Sequence, residues 1–155
     1  MKKTFSLKYI ITAVAALVGA ICAFLPWATI SATVLTVTTT DSQNGILTES
    51  PINGLGWVTF VLFLAVIGIS AYFSMKKEVP AAAKISISVA GAAALIIAIV
   101  EIIRINGALA ESIPSYMAKY ASAGASFGLF IMIAFAVIVA ALPWIPFDKR
   151  IGSEN

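Results

Sequence analysis

The sequence predicts an all-α membrane protein, a four-transmembrane-helix bundle with an extracellular β-hairpin in its first outer loop. Three observations predict it. The chain of 155 residues is 61% hydrophobic and 11% charged, against about 25% charged in a soluble domain, so it lacks the polar surface to face water. Four runs, residues 9–27, 57–75, 85–103 and 127–145, are apolar over the length that crosses a bilayer core, roughly 20 helical residues. None alternates polar and apolar as a transmembrane barrel strand does, which leaves helices as the structure that satisfies every backbone group in lipid. The length fits one integral domain, residues 1–155.

The first run follows MKKTFSLK, the opening of a secretory signal. It is longer than a signal's apolar core, and Ile21 before Cys22 is not the small residue that a lipoprotein signal requires. The expectation is a retained first helix. Lys2, Lys3, Lys8, Lys76, Lys77, Lys84, Lys149 and Arg150 fall on one side of the spans, and only Arg104 and Lys119 on the other. Cytoplasmic flanks carry the excess of Lys and Arg, so the chain is expected in the plasma (inner) membrane, multi-pass, with both termini cytoplasmic.

Leu-Pro-Trp occurs twice, in AFLPWATI (residues 23–30) and AALPWIPF (residues 140–147). Proline cannot continue a helical hydrogen-bond ladder, and Trp favours the membrane–water interface. The motif therefore reads as an exit signal, used once outside and once inside. A duplication would make the first helix resemble the third, and it does not. Trp27, Trp57 and Trp144 are the expected interface anchors.

The first outer loop, residues 28–56, contains TISATVLTVTTT, whose Thr, Val and Ile suit a strand. DSQNG follows as a turn, with Asn44-Gly45 to supply positive φ; ILTES returns, and Pro51 and Asn53-Gly54 end the segment. This predicts a β-ribbon over about residues 29–50. A lone hairpin is marginal in water, so it must pack on the helix ends, join a larger sheet or pair with a neighbour. Val34, Thr36, Val37, Thr38, Ile46 and Thr48 are its candidate partner contacts; the plainer reading is a Thr-rich connector. In the second outer loop Pro114 interrupts, Tyr116, Met117 and Tyr120 could lie along the interface, and the third helix is expected to project to about Leu109. The short inner loop KKEVPAAAK makes the second and third helices antiparallel neighbours.

Glu101 is the one ionised side chain inside a span. Such a carboxylate suggests a proton relay or ion site. With Arg104 three residues on along the same helical face, it also reads as a paired carboxylate at the outer boundary. The spans offer little other polarity beyond Ser70, Ser86 and Ser88. Gly91, and Gly124-xxx-Gly128, are candidate positions of close helix packing. Cys22 reads as a small hydrophobe; as the single cysteine it can form no intrachain disulfide. With no His, no nucleotide loop and no nucleophile–base pair, no catalytic residue, cofactor or metal is expected, and the chain does not read as an enzyme. A nucleic-acid partner would need a basic stripe, which is lacking.

Pro26-Trp27 at the exit of the first helix, and GLGW at residues 54–57, resemble motifs of the claudin and peripheral-myelin-protein tetraspan family, with one extra Gly in the second motif and without that family's paired loop cysteines. The resemblance implies four helices with cytoplasmic ends, a β-rich first outer loop, and lateral self-association, adhesion or service as an auxiliary subunit. The expected function is thus a non-enzymatic interaction, assembly or auxiliary subunit acting through its ribbon and outer helix ends. Its expected partners are the lipid bilayer and a membrane protein or further copies of itself. The alternatives are a small channel or transporter with Glu101 and Arg104 at its outer mouth, and a bacteriocin-type immunity protein.

Overall fold

Each of the four apolar runs folds as a helix, although two of them depart from the expected length. The structure is a computed structural model that describes residues 5–34, 37–46, 54–113, 115, 118–146 and 150–151. In chain order the elements are β1 (Phe5–Ser6), α1 (Leu7–Cys22), β2 (Pro26–Val34), β3 (Val37–Asn44), α2 (Leu55–Ser74), α3 (Ala81–Ser112), β4 (Ala121–Ala125), α4 (Phe127–Ala141) with a 3-10 turn (Leu142–Trp144), and β5 (Arg150–Ile151).

The run expected as helix over 9–27 stops at Cys22. Phe24 N–H still bonds to Ile21 O and Leu25 N–H to Cys22 O, but Pro26 has no N–H to offer and pairs instead with Asn44 as the start of β2. The run expected over 85–103 extends at both ends to 32 residues. No proline interrupts it before Pro114, and at 1.5 Å per residue it is about 48 Å long. α2, α3 and α4 are long and apolar enough to cross a membrane, whereas α1 is a shorter apolar helix.

The bundle buries many alanines beside Phe63, Ile87, Ile105, Leu129 and Met132, and its outside is covered by large aliphatic side chains. Ala15, Ala16, Ala20, Ala94, Ala98 and Ala136 are buried, while Val14, Val61, Val89, Ile96 and Ile103 are more than half exposed. Close approach follows from the small residues. A Cβ on Gly19 would lie 2.6 Å from the Phe63 ring, where α1 meets α2. One on Gly91 would lie 2.7 Å from Ala140 N, where α3 meets α4. Shape complementarity between small residues is how helices associate where water cannot drive them together.

The ribbon is real, but its turn is not where Asn44-Gly45 predicts. β2 and β3 pair antiparallel from Pro26↔Asn44 to Val34↔Val37, so the chain reverses between Val34 and Val37; Leu35 and Thr36 lie outside the described residues, as does the expected return strand at 47–50. TISATVLTVTTT is thus divided between two strands. Gly45 serves a different purpose, because a Cβ there would collide with the Trp27 indole.

The ribbon is also not alone. β4, from the α3–α4 connection, pairs antiparallel with β2 from Ala28↔Ala125 to Ala32↔Ala121. The result is a three-stranded sheet in the order β3-β2-β4, which joins the α1–α2 connection to the α3–α4 connection. At the opposite end of the bundle β1 pairs with β5, Phe5 opposite Ile151. There Lys8 Nζ donates to Ile145 O at 2.8 Å, and Arg150 Nη2 donates to Lys76 O at 3.1 Å and Lys77 O at 2.6 Å. These cations therefore gather at the end that holds both chain termini.

Candidate functional site

Among the described residues the sheet has one covered edge and one open edge, and its hydrogen-bond parity identifies the groups on each. Thr33 N–H donates to Tyr120 O at 2.7 Å, so in β2 the backbone groups of Thr29, Ser31 and Thr33 face β4. Antiparallel residues alternate between bonded and non-bonded pairs. Ala28, Ile30 and Ala32 therefore bond to Gln43, Asp41 and Thr39. The N–H and C=O groups of Thr38, Thr40 and Ser42 are left pointing away from the sheet. The side chains agree with this phase. Non-bonded pairs bring Cβ atoms closest, and Thr33 Oγ1 lies 2.9 Å from Thr38 Oγ1 and Ser31 Oγ 3.2 Å from Thr40 Oγ1. These hydroxyls line one face of the sheet, joined by Thr29, Ser42 and Ser122 through the same register.

On the other edge α3 runs past β4. Asn106 Oδ1 accepts the outward N–H of Ala125 at 2.8 Å, and a Cβ on Gly124 would lie 3.1 Å from the same oxygen. Asn106 thus closes the β4 edge, opposite the edge formed by β3. β3 itself is exposed from Val37 to Ser42.

The candidate contacts divide on this frame. Val34 and Val37 form the last pair at the ribbon tip, with Val37 66% exposed. Thr38 presents its backbone on the open edge. Ile46 lies past the end of β3 and is half-buried. Thr36 and Thr48 lie outside the described residues. Thr40, Ser42 and Asn106 were not anticipated, because their roles depend on where the ribbon turns and on a third strand that ASAGA does not advertise.

The two Leu-Pro-Trp copies have opposite fates. Trp27 is not an interface anchor. It is fully buried, its Nε1 donates to Cys22 O at 2.9 Å, and Gly45 lies against its ring. The early end of α1 turns the indole inward, where its N–H donates to the Cys22 carbonyl, whose i+4 residue Pro26 has no N–H to offer. Trp144 is 57% exposed and donates to Ser88 Oγ at 2.7 Å, while Ser88 donates to Ala140 O. Trp57 is 49% exposed and stacks edge-on with Phe24 and Phe60 at centroid distances of 6.3 and 5.9 Å.

Glu101 and Arg104 do pair, but the carboxylate does not sit at the surface. Glu101 is 0% exposed. Arg104 Nε donates to its Oε1 at 3.0 Å and Arg104 Nη2 to its Oε2. The guanidinium, 30% exposed, closes the fork from the outside, a two-point geometry that Lys could not supply.

The Gly124-xxx-Gly128 spacing is not a helix face, because Gly124 belongs to β4 and Ser126 precedes α4. Gly128 admits the α1–β2 junction instead, and a Cβ there would lie 2.5 Å from Pro26 O. Among the described residues no group of three or more His, Cys, Asp or Glu is placed to hold a metal ion. No protein-family model matches the chain, and comparison with curated proteins finds no match.

Proposed function

We propose that the protein is a non-enzymatic, multi-pass membrane protein of the inner membrane that acts as an interaction or auxiliary subunit by adding a partner's strand to the open edge of β3. The membrane reading is supported by the apolar exterior of the helices, where Val14, Val61, Val89, Ile96 and Ile103 are more than half exposed. It is supported also by three helices of spanning length and composition. Lys8, Lys76, Lys77, Lys84 and Arg150 at the end shared by both termini argue for a cytoplasmic location of that end. A claudin-like tetraspan architecture is the proposed relationship, resting on the four helices and the sheet beyond one end of them.

The observation that carries the function is the outward backbone of Thr38, Thr40 and Ser42, which no strand among the described residues pairs, at the edge opposite the one that Asn106 closes. In strand addition the main chain supplies affinity and alternate side chains supply selectivity. Reading the chain as a channel would depend on Glu101, both of whose oxygens are occupied by Arg104. A pair of proline variants tests the edge. Thr40→Pro removes an outward N–H and leaves the β2 ladder intact, since edge strands accept proline where the N–H faces away. Thr39→Pro removes an inward one. The expected result is that Thr40→Pro abolishes co-purification of the partner, or crosslinking between copies, with an unchanged melting temperature. Association that survives Thr40→Pro refutes the proposal.

A further inference from the structure

A groove runs along the outside of the α1–α2 pair at the end that holds the termini. It encloses about 500 Å³ and opens sideways, with Phe5, Ala13 and Leu17 on one wall and Ile67 and Ala71 on the other. Its lining is almost wholly apolar. From Tyr9 to Leu17 it extends about 12 Å along the α1 axis, and Phe5 of β1 continues it beyond the start of the helix, so it takes much of an acyl chain laid lengthwise. Beside it lies a second, smaller cavity of about 170 Å³ with a polar lining, bounded by Lys8, Lys77, Val79 and Lys84. Tyr9 lines both. Among the described residues no acidic side chain lines the smaller cavity. Lys8 is buried and spends one ammonium N–H on Ile145 O; an ammonium has three.

We infer that the groove and the lysine cavity together form a binding site for one anionic phospholipid, its acyl chain along α1–α2 and its phosphate among Lys8, Lys77 and Lys84. Charge complementarity selects this occupant. A zwitterionic lipid would fill the groove equally well but would leave the three ammonium groups without a net anion. A partner helix would cover the groove and ignore the lysines. Basic cavities between helices on the cytoplasmic side are where anionic head groups bind. The inference rests on the membrane reading above.

The test uses the full chain purified in mild detergent and titrated with phosphatidylglycerol, phosphatidylcholine or glycerol 3-phosphate, with bound lipid counted by native mass spectrometry. Phosphatidylglycerol is expected to be retained over phosphatidylcholine, and glycerol 3-phosphate not to bind. Lys77→Gln combined with Lys84→Gln is expected to weaken phosphatidylglycerol binding roughly thirtyfold, about five- to sixfold per lysine. Ala13→Phe, which fills the groove, is expected to abolish lipid binding; Ala71→Leu on the exposed opposite wall makes the same test should Ala13→Phe fail to fold. Equal binding of the two lipids, or an undiminished affinity in the lysine variant, overturns the inference. Binding of glycerol 3-phosphate as tight as the lipid overturns the groove's part in it. Release of the protein from membranes by alkaline carbonate would instead refute the membrane reading, so the two failures are distinguishable.

Discussion

Replacing Arg104 by Gln removes both charged donors from a carboxylate that reaches no solvent. Replacing Glu101 by Gln leaves behind a guanidinium with nearly a third of its surface exposed. The two substitutions break the same pair and should not cost the same. Removing one partner of a buried pair costs about 3–5 kcal/mol, mostly the penalty of the stranded charge. That figure applies to Arg104→Gln, which strands Glu101. Arg104, stranded in turn, keeps a side chain that is already 30% exposed, so Glu101→Gln falls near the exposed-pair range of about 1 kcal/mol. The expected asymmetry is therefore about 2–4 kcal/mol. The double variant Glu101→Gln with Arg104→Gln should recover much of the loss, giving a coupling of about 2 kcal/mol. Thermal or denaturant unfolding in detergent, followed by tryptophan emission, measures all three. Equal costs for the two single changes, or a double variant as unstable as their sum, would refute the account of Glu101 as a structural carboxylate held by a half-exposed cap.

Gly45→Val should lower the melting temperature and expose Trp27 to quenchers, since any Cβ collides with the indole; overpacking of this kind costs about 1–3 kcal/mol. Trp27→Phe should cost about 2 kcal/mol through a lost hydrogen bond and a partial cavity. Trp144→Phe, at an exposed ring, should cost less than about 1 kcal/mol; a reversed order in the same unfolding assay would contradict the assignment of Trp27 to the core. Gly91→Leu should separate α3 from α4 and reduce yield of folded protein in size-exclusion chromatography, whereas Gly68→Leu, with open space around it, should leave both yield and melting temperature unchanged.

The helices were legible because hydrophobic length is a strong signal, and α2 and α4 begin within about two residues of their expected starts. Their ends were harder to read. Pro26 marks the exit of α1 only together with strand pairing to Asn44, and nothing local stops α3 at residue 103. The ribbon was legible from its Thr and Val content, but its turn was not. Asn44-Gly45 is the strongest turn dipeptide in the loop, yet the glycine is needed there for space against Trp27 and not for a reversal. β4 was illegible because Ala-Ser-Ala-Gly-Ala has no strand preference; small side chains let it lie between β2 and α3, a requirement that appears only once both neighbours are in place. The Glu101–Arg104 pair could be read from its spacing. The depth of Glu101 could not, because burial depends on which face of α3 meets the other helices.

The β1–β5 clasp has a topological consequence. With Phe5 opposite Ile151, the last described strand returns to the first. A circular permutant that joins these two strands by a linker and opens the chain in the α2–α3 connection should keep every helix in the same direction and the three-stranded sheet unbroken. Arg150, which donates to the Lys76 and Lys77 carbonyls, would then hold the new end after α2 against the joined strands.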